Sequence, residues 1–107
     1  EEIAQLAAQI ATLTEQIANL TAEIEDLENR AIPELLEGIQ QRETQLAEEE
    51  DPDEIARLQA EIAQLQNLLA FRQDQLSIQQ FERNNLQSQR QEREAELQAA
   101  QAQLATE

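Results

Sequence analysis

Six of the seven residues from Glu48 to Glu54 are acidic. Carboxylate oxygens packed this closely suit two kinds of chemistry: holding Mg²⁺ or Ca²⁺, or presenting negative charge to a basic partner. Glu50, Asp51, Asp53 and Glu54 are the candidate contacts at this tip. EF-hand spacing is absent and no Gly folds the stretch around an ion, so a solvated turn is the plainer reading and no metal ligand is assigned. The chain has neither Cys nor His, which removes thiol chemistry, disulfides, zinc sites and the usual proton shuttle. There is no Gly-rich phosphate loop and no nucleophile with a base beside it. The expectation is a non-enzymatic protein with no catalytic residues and no cofactor.

Two other sets of residues invite a functional reading. Five of the seven arginines, Arg42, Arg72, Arg83, Arg90 and Arg93, fall at positions of an apolar seam. Their stems can cover facing aliphatics while the guanidinium groups reach water or flanking acids such as Glu92 and Glu94; the sharper alternative is that they accept carboxylates from a partner helix. Leu68, Phe71, Ile78 and Phe81 lie off that seam, within an arc about 140° wide on a helical wheel. An apolar strip outside the seam marks contact with another element. It is the candidate interface, for self-association into a helical bundle or for a neighbouring part of a longer parent, unless Ile32 and Leu36 swing round to cover it.

The elements that carry these residues are long helices. Asp51 is placed to cap a new helix, Pro52 suits a first helical position, and Glu54 stands where a capping-box acid reaches back. Three acids just before this point crowd the C-terminal end of the preceding helix, where the dipole disfavours them by ~0.3–1 kcal/mol each. Before the stop, Ile3, Leu6, Ile10, Leu13, Ile17, Leu20, Ile24 and Leu27 form a heptad seam with Ile at a and Leu at d. The pattern then slips by one residue and resumes as Ile32, Leu35, Ile39, Arg42 and Leu46. Pro33 sits at the slip; its missing N–H and its effect on Ile32 predict a kink or bulge, and Gly38 weakens the same region by roughly 1 kcal/mol relative to Ala. After the stop the seam runs from Ile55 through Leu58, Ile62, Leu65, Leu69, Leu76, Leu86 and Leu97 to Leu104.

The spacing predicts an all-α fold, a long antiparallel two-helix coiled-coil hairpin with its first helix kinked near Pro33. The first helix covers 1–50, the turn 51–53 and the second helix 54–107, with arms of ~75 Å. If the chain folds back, facing residues share a constant index sum: Leu46 with Leu58 and Ile39 with Leu65 give 104, whereas Leu27 with Leu76 and Leu6 with Leu97 give 103. The change falls at Pro33. The competing arrangement is a parallel pair of chains, which Ile at a and Leu at d favours; it leaves the stop at Asp51-Pro52 without a role.

Composition sets the remaining bounds. In 107 residues there are 23 acids against 7 basic residues, all arginine, for a net charge of -16. That field disfavours nucleic acid and membrane-surface binding, and no apolar run reaches the ~20 residues that cross a bilayer. One Gly, two Pro and two Phe in a chain rich in Ala, Gln, Glu and Leu make a thin seam, not a broad core. A start at Glu1-Glu2 without Met suggests a piece of a longer protein. Protein partners are therefore the expected ligands.

The stretch Glu94-Ala95-Glu96-Leu97-Gln98-Ala99-Ala100-Gln101-Ala102-Gln103-Leu104-Ala105-Thr106 resembles the descending helix of HlyD-type periplasmic adaptor (membrane fusion) proteins. The resemblance covers both arms in architecture and only this last stretch in sequence. It implies a periplasmic hairpin that links an inner-membrane transporter to an outer-membrane channel and docks by its tip; Arg57 and Leu58 follow the tip, without the spaced Arg, Leu and Ser/Thr set that some adaptors carry. The acidic tip is also similar to that of transcript-cleavage factors, in which Asp51, Asp53 and Glu54 would hold Mg²⁺, although these arms are longer and the globular partner domain is missing. The functional expectation is a spacer and protein-docking arm.

Overall fold

A computed structural model describes residues 2–106. The fold is all-α, with no strand among the described residues. Helix α1 (Glu2–Asp26) passes into a π-helical turn (Leu27–Ala31), which continues directly into α2 (Ile32–Glu48); α3 (Pro52–Thr106) follows a short connection. The helix after the connection thus starts at Pro52, two residues before the expected position, and the non-helical residues are 49–51. Proline needs no N–H at a first helical position and brings a fixed φ, so the helix begins on it.

The π turn is how the chain absorbs the one-residue slip. The Ile32 N–H bonds to the Leu27 carbonyl, five residues back, so this turn holds one residue more than an α turn. Ile32 keeps helical dihedrals (φ -69°, ψ -47°), contrary to the expectation that Pro33 would displace it. A wider turn lets the Pro33 ring clear the preceding carbonyls while the backbone stays helical. Arg30 spans the turn, its guanidinium bonding both oxygens of Asp26 at 2.6 and 2.7 Å and reaching Glu34 at 3.5 Å. The Arg30 hydrogen bond holds the Asp26 carboxyl below the usual carboxylate range.

The chain divides into two compact units. In the unit Ile24–Ile78, the core consists of Ile24, Leu27, Ile39, Leu58 and Ile62, with Ile24 and Leu58 only 1% and 2% exposed. Leu35, Leu46, Ile55, Leu65, Leu69 and Leu76 are half-buried beside them. Every one is a seam position, on the stripe repeating at three and four residues that the facing helices share. Gly38 lies within this seam: a Cβ there would meet Leu65 Cδ1 at 3.6 Å and Arg42 Nη1 at 3.5 Å.

The other unit combines residues 2–23 with residues 79–106. Leu6 and Ile17 are its buried side chains, with Ile3, Ile10, Leu13, Leu20, Leu86 and Leu97 half-buried. Here α3 brings Gln79, Arg83, Arg90 and Arg93 to the seam, all half-buried, so the aliphatics of α1 pack against a partly polar face. Two polar atoms in it, Gln79 Oε1 and Arg83 Nε, are buried without a hydrogen-bond partner. Leu104, the last seam position, is 61% exposed.

Candidate functional site

The tip is built from backbone donors that need partners. Helix α2 ends at Glu48, and Glu49 turns to extended dihedrals (φ -84°, ψ 137°) while its N–H bonds to the Leu46 carbonyl. Glu49 Oε1 then accepts the N–H groups of both Glu50 and Asp51, each at 3.2 Å. Asp51 Oδ1 accepts the Asp53 N–H at 3.2 Å, and the Asp51 carbonyl takes the first helical bond of α3, from Ile55 N–H at 2.9 Å. Asp51 is therefore the N-cap, as its type and place predict. The reaching-back role expected of Glu54 belongs instead to Glu49, which lies close enough in the turn to hold the cap's own N–H. An acid disfavoured by the dipole of α2 is thereby engaged in two hydrogen bonds of the turn.

Glu54 is drawn elsewhere. Its carboxylate accepts from Arg57, with the closest contact at 2.6 Å, and Arg57 also donates to Glu61. Glu61 Oε1 in turn accepts from Arg42 Nε at 2.9 Å, across the seam between α3 and α2. Arg42 Nη1 completes the chain on the Gly38 carbonyl at 3.1 Å. The run Glu54, Arg57, Glu61, Arg42 is thus a charge ladder along one side of the unit. Arg57 lowers the Glu54 carboxyl, and Arg42 first and then Arg57 lower that of Glu61; the Arg57 guanidinium is raised, chiefly by its hydrogen bond to Glu54.

Of the four tip candidates, Glu50, Asp51 and Asp53 are exposed and Glu54 is half-buried. Among the described residues, no group of three or more carboxylates is placed to hold a metal ion. The Asp51 and Glu49 oxygens nearest the turn face backbone N–H groups, so the geometry here is that of a capped turn and a surface of negative charge.

The apolar candidates are exposed. Leu68, Phe71 and Ile78, in the unit Ile24–Ile78, are 39%, 59% and 58% exposed and fall within about 80° of one another around α3. Arg72 lies 5.4 Å from the Phe71 ring centroid, a cation–π distance. Phe81, in the other unit, is 73% exposed. Leu36, which with Ile32 was the alternative cover for part of this strip, is 50% exposed itself, and Phe71 and Ile78 keep more than half of their surface open.

The seam arginines find neighbours other than those expected. Arg93 Nη1 bonds Glu96 at 3.1 Å and Arg90 Nη1 reaches Thr14 Oγ1 at 3.5 Å, not Glu92 or Glu94; Arg72 bonds Gln75 at 3.0 Å. Gln79 Nε2 bonds Glu23 at 3.2 Å. Beside Arg93, an open groove of about 390 Å³ is lined by Ala8, Gln9, Thr12, Leu13 and Gln89. Among the described residues, no helix is long and apolar enough to cross a membrane. No family model matches this chain, and neither a curated protein nor a solved structure does.

Proposed function

We propose that the chain is an antiparallel coiled-coil hairpin, a non-enzymatic spacer whose off-seam surfaces dock protein partners. The observation that carries this reading is a division of labour within the helices. Nearly every heptad position is withdrawn from solvent, whereas Phe71 and Ile78 stay well exposed. Three cross-seam contacts support the hairpin itself: Arg42 with Glu61, Thr14 with Arg90 and Glu23 with Gln79. Across the three, the position in the first helical stretch rises from 14 through 23 to 42 while that of the partner in α3 falls from 90 through 79 to 61, as the opposed arms of a hairpin require.

Exposed phenylalanine on a solvated helix gains nothing by itself, so the strip is read as the docking face and a helical bundle as its occupied form. Sedimentation of Phe71→Glu beside the parent chain tests it. A lower mass for the variant supports docking through this face, and an unchanged mass in both counts against it. The HlyD-type adaptor is one specific form of the same reading, and lipoyl-like halves in the sequence on both sides of this segment would be its mark.

A further inference from the structure

We infer that α1 exchanges the α3 face it packs against for α1 of a second copy of this chain, parallel and in register; the hairpin proposed above is the form of the lone chain and this pairing an associated form. In the unit holding residues 2–23, α1 offers Ile3, Leu6, Ile10, Leu13, Ile17 and Leu20 without a break. Ile at every a and Leu at every d is the combination that favours two parallel strands. What α3 sets against that stripe is a poorer match: Gln79, Arg83, Arg90 and Arg93 occupy its seam positions, and two polar atoms there are buried without partners. Of these six, Leu6 and Ile17 are buried and the rest half-buried, while Leu13 borders an open groove.

Charge points to the same partner. The whole chain carries -16, which opposes the meeting of two copies, but the flanks of the α1 seam are almost neutral. Between Ile3 and Thr21 the e and g positions beside it are Ala7, Gln9, Thr14, Gln16 and Thr21, and Glu23 is the first charge beyond them. In a parallel pair, Gln9 of one copy stands by Thr14 of the other, and Gln16 by Thr21, so no like charges meet along the contact. A second α1 therefore supplies an entirely aliphatic seam with uncharged edges, where α3 supplies arginine and glutamine.

The test uses the same flanks. Gln9→Glu and Thr14→Glu together set glutamates against each other between parallel copies. Within one chain, the carboxylate introduced at position 14 stands by Arg90, whose Nη1 already reaches Thr14 Oγ1, and the one introduced at position 9 enters the groove that Gln9 shares with Arg93. The pair of changes thus favours the lone chain and opposes the parallel dimer. Sedimentation equilibrium is run in the Phe71→Glu background, where association through the phenylalanine face is already removed, with circular dichroism melts alongside. The expected result is reversible dimerisation of Phe71→Glu, weakened about tenfold or more by the added charges, with a melting point unchanged or higher. A monomeric Phe71→Glu chain overturns the inference while leaving the docking reading standing. Equal dimerisation of the charged variant also overturns it, and stronger dimerisation does so in favour of exchange of α1 onto the second copy's α3.

Discussion

Deleting Asn29 from the π turn, together with Pro33→Ala, should leave the fold intact, although loss of one residue ordinarily ruins a heptad seam. The turn Leu27–Ala31 holds one residue more than an α turn, and its removal brings Ile32, Leu35, Ile39 and Leu46 into phase with the series from Ile3 to Leu27. Pro33→Ala accompanies it because proline inside an ordinary α turn costs ~3 kcal/mol. Deleting Asn19, again with Pro33→Ala, is the matched control, in a stretch with no spare residue. Side chains on one side of that cut turn by about 100°. The least costly response is to use up the π turn, which misplaces only Leu20, Ile24 and Leu27. Ile24 and Leu27 are 1% and 6% exposed, and at ~1.5–3 kcal/mol for each lost burial the damage is about 4 kcal/mol. At about 4 °C per kcal/mol, that lowers the melting point by about 15 °C. Thermal melts at matched concentration are the assay: the Asn29 deletion with Pro33→Ala melts close to the parent or above it, and the Asn19 deletion well below. Equal losses in the two would refute the register argument.

Gly38→Ala should stabilise the chain by about 0.5–1 kcal/mol, since the added Cβ finds ordinary contacts at 3.5 and 3.6 Å and the helix gains propensity; a denaturant midpoint that falls would show that the seam has no room there. Asp51→Ala should cost about 1 kcal/mol through loss of the cap on the Asp53 N–H, read in the same denaturant titration, whereas an unchanged midpoint would deny Asp51 that role. The arginine partners hold Glu54, Glu61 and Asp26 below the usual carboxylate range. Their contribution is therefore complete above that range and disappears as pH falls through the folded values. Glu61→Gln should accordingly melt below the parent at neutral pH and alongside it in acid; a gap that persists in acid would mean that the ladder is not ionic.

The heptad positions were legible in the sequence because their spacing of three and four residues runs unbroken over long stretches with one Gly and two Pro, whereas the off-seam residues of α3 form a shorter strip. The slip after Leu27 and the cap at Asp51 were legible for similar reasons, each resting on a local rule. The form of the slip was not. Pro33 is compatible with a kink, a break or a bulge; the structure has the bulge, as one π turn that keeps the helix continuous. Glu54 was misread because a capping box competes with an arginine three residues on, and the charged partner wins. Pattern alone also left open how much of the strip Ile32 and Leu36 would cover; Phe71 is 59% exposed.

The direct test of the hairpin is a distance between its two ends. The chain has no Cys, so Ala4→Cys and Ala99→Cys, both exposed sites, accept a pair of spin labels without background. Their index sum matches that of the facing pairs far from the tip. Measured by electron–electron double resonance in the Gln9→Glu, Thr14→Glu, Phe71→Glu background, where neither proposed association intervenes, and diluted with the unlabelled counterpart, the pair should give a narrow distribution at roughly 20–30 Å, two packed helix diameters with their labels. A straight helical rod would separate the same sites by ~140 Å, beyond the reach of the method, and the absence of any short-distance signal would contradict the hairpin.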